Sequence, residues 1–364
     1  MLIAWLAGRL IDASGADRHP GYQCPACHER VVLHHGRVVP PYFAHHTLGD
    51  CVVATEGESA QHICGKRQLA TFFAPWGVGR LEKILPEIDQ RADCWLDRHD
   101  HQPVAIEFQC SPIGRDQVAV RTAGYQKIKV FPCWILGERY HRQQLNWGLV
   151  DRFAWEMPGW GLCLLFWDVN RQRLRLDHHL QQMATGKIMA TTNWLTAIDD
   201  LRRPQPASRL PSISLPAYRQ RLTLDLLRGN TGLRDLQETL YRLGKNLPGF
   251  PQVFGTTRSY LPIFGRGPIP WRIVVGVWIF SRKTQWTVPE LWQLAQEGLV
   301  LVGGHSEGGI RFAGEKTLRL ALADLVTDLA TGHYLQRTET GWQILVIPAW
   351  ARDGHEWLEN NERK

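Results

Sequence analysis

Two carboxylates and an amide on neighbouring predicted strands could together bind a divalent cation. Glu107 and Gln109 interrupt an apolar run two residues apart, and strand geometry directs both side chains to one face. Asp93 lies in another short apolar run, Arg91–Leu96. Oxygen ligands of this kind suit Mg²⁺ or Mn²⁺, which polarises a phosphate and lowers the pKa of an attacking water. The pattern therefore predicts metal-dependent phosphodiester cleavage, with Asp93 and Glu107 as the metal ligands.

An Asp on one strand and Glu-x-Gln on the next resembles the site of PD-(D/E)xK nucleases, with Gln109 where Lys is usual. Gln109 can orient a water, but it cannot supply the positive charge of a Lys. Glu58, His62 and Lys66 recur every four residues on one face of a predicted helix over residues 55–73. Glu58 could add a third carboxylate, and Lys66 or His62 is predicted to replace the missing charge.

A purely structural explanation of the same carboxylates also stands. Asp93 and Glu107 could form ion pairs with Arg91, Arg121 or Lys127. Arg121 and Tyr125 are spaced i, i+4 on the next predicted helix, where Arg suits a phosphate and Tyr could simply pack. Both are predicted to contact DNA.

The N-terminal region contains a Cys3His set that consists of Cys24, Cys27, His45 and Cys51. The two-residue gap of the Cys pair lets both thiolates reach one ion, and the second half closes a tetrahedron. We expect a structural zinc, because four protein ligands leave no open position. His46 is an alternative ligand and His28 a weaker one. The other interpretation is a set of reduced, packed cysteines.

These motifs together resemble the CoiA family of competence proteins over roughly residues 1–140. The resemblance is carried by Cys24-x2-Cys27, Phe43-Ala-His45, Cys51, Glu58-x3-His62-x3-Lys66, Ile106–Ile113, Arg121, Tyr125 and Cys133–Gly137. The family commonly has His-Phe-x-His where this chain has Tyr42-Phe-Ala-His45, so one position is lost. Membership implies natural transformation, in which incoming single-stranded DNA is processed for recombination, and a nuclease-like domain.

Periodicity after residue 55 gives a helix, three strands, a second helix over 115–127 and a buried strand over 130–136. The pattern alone indicates an α/β domain, and the resemblance makes it a PD-(D/E)xK core. The predicted fold class is α/β (α+β): a zinc-knuckle domain (1–55), a restriction-endonuclease-like domain (56–150) and a mixed, Trp-rich C-terminal region (151–364). A Pro- and Ser-rich linker is expected near 203–217.

Positive charge is concentrated in the C-terminal region. Between Leu201 and Thr284 fourteen Lys and Arg face three acidic residues, so this segment carries +11 and the rest of the chain about −4. Arg258, Arg266 and Arg272 alternate with aromatic residues, a pattern typical of single-strand binding. The alternative is a solvated basic face with most of the aromatic residues in the core.

The cysteines outside the Cys3His set lie singly among apolar residues, as buried free thiols do. No apolar run approaches a membrane span, and even Ile273–Phe280 has only the length of a strand. With no recognisable secretory segment, the protein is expected in the cytoplasm.

The sequence thus predicts a competence-associated protein that cleaves DNA with Mg²⁺ or Mn²⁺. Its expected partners are single-stranded or branched DNA and, as a further option, recombination proteins. The alternative function is a non-cleaving recombination mediator on a nuclease fold, which the missing Lys favours. A restriction-like defence nuclease would use the same site.

Overall fold

The structure is a computed structural model that describes residues 1–18, 21–36, 39–45, 51, 59–98, 101–229, 231–306, 314–354 and 356. The strands are β1 (Ile3–Leu6), β2 (Arg9–Asp12), β3 (Val31–His34), β4 (Tyr42–His45), β5 (Val78–Leu85), β6 (Gln90–Asp97), β7 (Val104–Gln109), β8 (Phe131–Leu136), β9 (Trp155–Met157), β10 (Gly161–Asp168), β11 (Arg173–Gln182), β12 (Ile188–Leu195), β13 (Gln285–Thr287), β14 (Leu335–Arg337) and β15 (Gly341–Ile344). The α-helices are α1 (Ala60–Phe73), α2 (Arg115–Lys127), α3 (Glu138–His141), α4 (Trp147–Phe153), α5 (Leu215–Leu227), α6 (Arg234–Tyr241), α7 (Pro268–Arg282), α8 (Val288–Leu301) and α9 (Gly314–Thr331).

The chain forms two compact units. Unit 1 comprises residues 1–144, 158–178 and 192–206, and unit 2 comprises residues 145–157, 179–191 and 207–364. Both predicted N-terminal domains, apart from residues 145–150, therefore lie within unit 1. Residues 204–214, in the predicted linker, contain neither helix nor strand. The finer division into three domains stays a prediction.

The N-terminal part of unit 1 consists of two small antiparallel hairpins. In one, β1 pairs with β2, and in the other β3 pairs with β4. The amino group of Met1 donates a hydrogen bond to the Phe43 carbonyl at 2.9 Å, which ties the chain start to β4. The apolar core here is small and is built around Tyr22 and Phe43. A core of this size is a weak source of stability, so a metal would contribute strongly to the fold.

The nuclease-like part of unit 1 has the predicted order of elements. After α1, the strands β5, β6 and β7 pair antiparallel, and β8 then pairs parallel to β7. Parallel strands need a crossover connection, which α2 supplies. The sheet continues through β10, β11 and β12, so its strand order is β12-β11-β10-β8-β7-β6-β5. This confirms a mixed α/β fold with a central mixed sheet.

Helix α1 lies directly against the strands that carry the predicted site. Its N-terminus is capped by Ser59, whose hydroxyl accepts the His62 amide hydrogen at 3.2 Å. Gly65 allows a close approach, because a Cβ there would lie 2.1 Å from the Phe108 ring. The helix therefore packs its middle onto β7 and brings His62 and Lys66 beside the sheet.

Unit 2 is built mainly from helices around one large apolar core. Its central helix α7 includes the short apolar run Ile273–Phe280. Eleven of the fifteen residues of α7 are buried, and a helix that is buried on most sides shows little amphipathic period in its sequence. Helix α8 is capped by Thr287, which forms a reciprocal capping box with Glu290. Within the described ranges, no helix combines the length and apolar character needed to cross a membrane.

Candidate functional site

The Cys3His set comes together as one cluster. The candidate ligand atoms of Cys24, Cys27, His45 and Cys51 all lie within 4.8 Å of one another. Cys24 and Cys51 bring their Sγ atoms to 3.9 Å, and Cys27 Sγ lies 3.3 Å from His45 Nε2. Two chain segments distant in sequence thus converge with the spacing that one tetrahedral ion requires.

The chemistry of these donors fits a metal such as zinc. Burial lowers the pKa of His45, which keeps its imidazole neutral and able to ligate. Burial, together with the Cys51 and Cys24 thiols, raises the pKa of Cys27 to about 12. A metal ion would lower the pKa of Cys27 again, because it binds the thiolate form. His46 lies outside the described residues, and His28 is not part of the cluster.

Three carboxylates form a row across β5, β6 and β7. The β6–β7 ladder ends at the pair Cys94 and Ile106, so Asp93 and Glu107 are the next residues in register. In the β5–β6 ladder the residues on either side of Glu82 are paired with β6, but Glu82 itself is not paired with Asp93, the residue opposite it. Glu82 has φ of +52°, a left-handed conformation that is uncommon for a non-glycine residue. Local departures from regular pairing therefore coincide with all three acids.

Asp93 is buried and held by two donors. Its Oδ2 lies 3.1 Å from His62 Nε2 and accepts the Phe108 amide hydrogen at 2.9 Å. Burial alone would raise the pKa of Asp93, but the charge and hydrogen bond of His62, with help from Lys66, lower it well below its usual value. Asp93 is therefore ionised at neutral pH, as a metal ligand must be.

Glu107 faces α2 and is bound by the two residues predicted to contact DNA. Its Oε1 accepts hydrogen bonds from Arg121 Nη2 at 2.5 Å and from the Tyr125 hydroxyl. Burial raises the pKa of Glu107; Arg121 opposes this effect, while the Asp93 charge adds to it. Tyr125 is completely buried, whereas the Arg121 side chain is 27% exposed. Of these two residues, Arg121 is the one within reach of a phosphate.

Lys66 is paired with an acid inside the unit. Its Nζ forms a completely buried salt bridge with Glu82. The other oxygen of Glu82 accepts the amide hydrogens of Leu2 and Ile3 at 2.7 and 3.2 Å. Glu82 therefore links α1, β5 and the start of the N-terminal part of the unit. Sequence reasoning missed it, because alternation along β5 does not reveal a residue whose backbone departs from the strand.

Gln109, the amide predicted beside these acids, is engaged with a neighbouring residue. The Gln109 side chain donates to the Ser111 carbonyl at 2.7 Å and to its hydroxyl at 3.3 Å, beyond the end of β7. Glu58 lies outside the described residues. Across the ranges that the structure describes, the Cys3His cluster is the one group of three or more potential ligands in mutual contact. Asp93 and Glu107 thus offer a pair of carboxylates that is not already arranged as a full ligand cage.

The three C-terminal arginines are engaged with acidic residues of unit 2. Arg258 pairs with Asp328 through both terminal nitrogens, at 2.7 and 3.1 Å, and is 45% exposed. Arg266 pairs with Asp235 at 3.1 Å. Arg272 is completely buried, pairs with Asp328 at 2.7 Å and donates to the Phe254 carbonyl. The expected surface position of Arg272 is therefore corrected, since a core guanidinium cannot touch DNA without rearrangement; its ion pair explains its burial.

The Asp328 contacts predict acid-dependent stability of unit 2. Burial alone would raise the pKa of Asp328, but hydrogen bonds from Arg258 and Arg272 lower it. An acid whose pKa is depressed on folding stabilises above its unfolded pKa, near 3.9, and loses this contribution as pH falls towards the folded value. Asp328→Asn should destabilise the unit by about 3 kcal/mol at pH 7, because the buried Arg272 loses its counter-charge.

Denaturant unfolding at pH 7 and pH 3 checks this prediction. The difference between wild type and Asp328→Asn should shrink at the lower pH. Asp225→Asn, at an exposed helical pair with Arg221, is the matched control and should change stability by less than about 0.5 kcal/mol. An Asp328→Asn variant as stable as wild type at pH 7 would contradict the assignment.

The mixed α/β fold agrees with a nuclease-like domain, and the Cys3His cluster that precedes it could hold a metal such as zinc. Residues 58–202 match the family model described as the CoiA competence protein nuclease-like domain, and residues 12–54 match the CoiA N-terminal domain. Over these matched residues the chain belongs to the CoiA-like competence proteins.

Two curated relatives can be compared with this chain. The competence protein CoiA of Bacillus subtilis is 30% identical over 160 residues, which cover 43% of this chain and 43% of the relative. The Druantia protein DruB of Escherichia coli is 44% identical over 55 residues, which cover 14% of this chain and 10% of DruB. The matches thus span less than half the length of either relative. No solved structure matches the chain.

Proposed function

We propose that this protein cleaves DNA phosphodiester bonds with Mg²⁺ or Mn²⁺ during natural transformation. One observation carries the proposal: Asp93 and Glu107 are register partners at the point where β6 and β7 stop pairing. Strands that part beside two carboxylates leave room for a cation and a phosphate. The family relationship to competence proteins supports DNA as the substrate.

Different residues of the site would bind the cation and the phosphate. Asp93 and Glu107 would hold the cation, which supplies a polarised phosphate and an activated water. Arg121, still in contact with Glu107, would place its exposed edge on a phosphate oxygen. Glu107 must release its proton to ligate, so its raised pKa should make cation affinity rise with pH.

His62 is the better candidate to replace the missing Lys charge. Its side chain is 18% exposed and lies 3.1 Å from the Asp93 carboxylate. Lys66, by contrast, has no exposed side-chain surface and is paired with Glu82. We therefore propose that His62 steadies the developing negative charge or the water, while Lys66 has a structural role.

The second candidate function is a recombination mediator that binds DNA without cutting it. The observation in its favour is that Arg121 and Tyr125 already occupy Glu107 Oε1. A cation would have to share that carboxylate with a guanidinium. Such a mediator would bind single-stranded or branched DNA and act beside other recombination proteins.

Cleavage of labelled single-stranded, duplex and branched DNA separates the two functions. We expect cutting with added Mg²⁺ or Mn²⁺, and a loss of at least about 100-fold in Asp93→Asn and Glu107→Gln, because each removes several kcal/mol of cation-dependent stabilisation. Asp97→Asn, at an acid on the same β6 strand but outside the row, should keep wild-type rates. DNA binding by zinc-loaded wild type without any cutting would favour the mediator.

A further inference from the structure

An exposed tryptophan lies on the face of the sheet that also carries Glu107. Trp194, on β12, is 40% exposed, and the Arg173 guanidinium lies over its ring at 4.0 Å. The edge of the His141 ring approaches Trp194 from α3, with the centroids 6.3 Å apart. The result is an exposed indole with a guanidinium over its ring, which we call the Trp194 platform.

Strand register places the Trp194 platform on the Glu107 face. Glu107 is the register partner of Trp134, and two residues further along β8 Leu136 is the partner of Phe166. Phe166 pairs in turn with Arg175. Arg173 is two residues from Arg175 on β11, so its side chain lies on the same face of the sheet.

The same face continues onto β12. Asp177 lies on the same face of β11 as Arg173, and its carboxylate accepts a hydrogen bond from the Thr192 hydroxyl on β12. Trp194 is two residues beyond Thr192 and therefore also lies on this face. With strands about 4.8 Å apart, β11 and β12 lie roughly 14 and 19 Å from β7 across the sheet. The platform is therefore roughly 19 Å from the strand that carries Glu107, a distance that a few nucleotides of a single strand could span.

The charges around the platform suit an anion. Arg175 is neutralised by Asp177, with contacts at 2.9 and 2.5 Å. Arg173, in contrast, forms no ion pair within the described part of unit 1, although Asp168 is its register partner across β10 and β11. A guanidinium that no carboxylate holds can donate through its terminal nitrogens to a phosphate oxygen.

We propose that the Trp194 platform binds an unpaired nucleobase of DNA, with Arg173 on the adjoining phosphate. The inference rests on the proposed function in taking DNA as the ligand, and it adds a separate site that would bind a single-stranded segment of that DNA. Aromatic stacking accepts any base, whereas the bases of an intact duplex are already stacked on one another.

Binding assays without added Mg²⁺ or Mn²⁺ test this independently of cleavage. Single-stranded oligonucleotides would carry the fluorescent base 2-aminopurine at successive positions. We expect quenching on wild type at one position, which Trp194→Ala abolishes, together with a roughly tenfold weaker affinity for single strands. Trp194→Phe should retain most of both. Arg173→Ala should reduce the slope of log affinity against log salt by about 0.7, as for one lost single-strand phosphate contact.

Trp76 provides a matched control, because it also has arginines near its ring. Arg98 and Arg202 lie 5.5 and 5.9 Å from it, but its indole is bound to Asp199. Trp76→Ala should leave the quenching pattern unchanged. Trp194→Ala that binds single strands within twofold of wild type, with the same quenching, would overturn the inference. If that variant does not fold, Arg173→Ala decides: an unchanged salt slope overturns it.

The outcomes separate this inference from the proposed function. Position-specific quenching by a protein that never cuts DNA would reject the cleavage function and support the platform. Metal-dependent cutting by a Trp194→Ala or Arg173→Ala protein with unaltered single-strand binding would support the cleavage function and reject the platform.

Discussion

Cys51→Ser should remove one equivalent of zinc and unfold the N-terminal hairpins of unit 1. The region has a small apolar core, and Cys51 lies 3.9 Å from Cys24 within the cluster. Structural zinc contributes about 10 kcal/mol or more to the folding of comparable small sites, which exceeds what so small a core supplies. Zinc content by metal analysis and limited proteolysis of residues 1–51 would measure the loss.

The control for this prediction is Cys64→Ser, since Cys64 lies on α1 outside the cluster. That variant should keep its zinc and its resistance to proteolysis. Chelation of the wild-type protein should reproduce the Cys51→Ser phenotype, and added Zn²⁺ should reverse it. A zinc-free protein with intact protection of β1 to β4 would show that the cysteines are merely packed.

Glu82→Ala should destabilise unit 1 by about 3–5 kcal/mol, because it leaves the Lys66 ammonium buried without its carboxylate. It also removes the acceptor for the amides of Leu2 and Ile3, each of which would lose a hydrogen bond. The effect should therefore reach the N-terminal hairpins as well as α1. Denaturant unfolding, with hydrogen exchange of the β1 and α1 amides, would measure both consequences.

The double variant Lys66→Met with Glu82→Leu tests the electrostatic origin of this effect. Replacing both partners by apolar groups should recover much of the stability, since neither member of the pair is left as an unpaired buried charge. The exposed pair of Glu138 and Arg142 is the matched comparison, and Glu138→Ala should cost less than about 1 kcal/mol. If Glu82→Ala unfolds at the same denaturant concentration as wild type, the Lys66–Glu82 salt bridge does not contribute the predicted stability.

Local patterns alone determined much of the nuclease-like part. Periodicity predicted a helix over 115–127, the bounds that α2 has. The period-two spacing placed Glu107 in a strand, and the i, i+4 spacing of Arg121 and Tyr125 brought both to that carboxylate. These features depend on residues close in sequence, which is why they could be predicted.

The Cys-x2-Cys spacing likewise predicted a metal cluster. The structure agrees with this prediction, because it brings the ligand atoms of the two cysteines, His45 and Cys51 within 4.8 Å of one another, a convergence that the sequence alone could not show. The resemblance to a family, more than periodicity, supplied the specific class of fold.

Tertiary structure alone decided the roles of the charged residues. Lys66 and His62 share a helix face, yet the fold directs Lys66 to Glu82 and His62 to Asp93. Arg272 lies in a basic, aromatic-rich segment that predicted DNA contact, but it is buried against Asp328, 56 residues away in sequence. The partner of a buried charge is set by packing between distant segments, and a linear pattern contains no record of which segments meet.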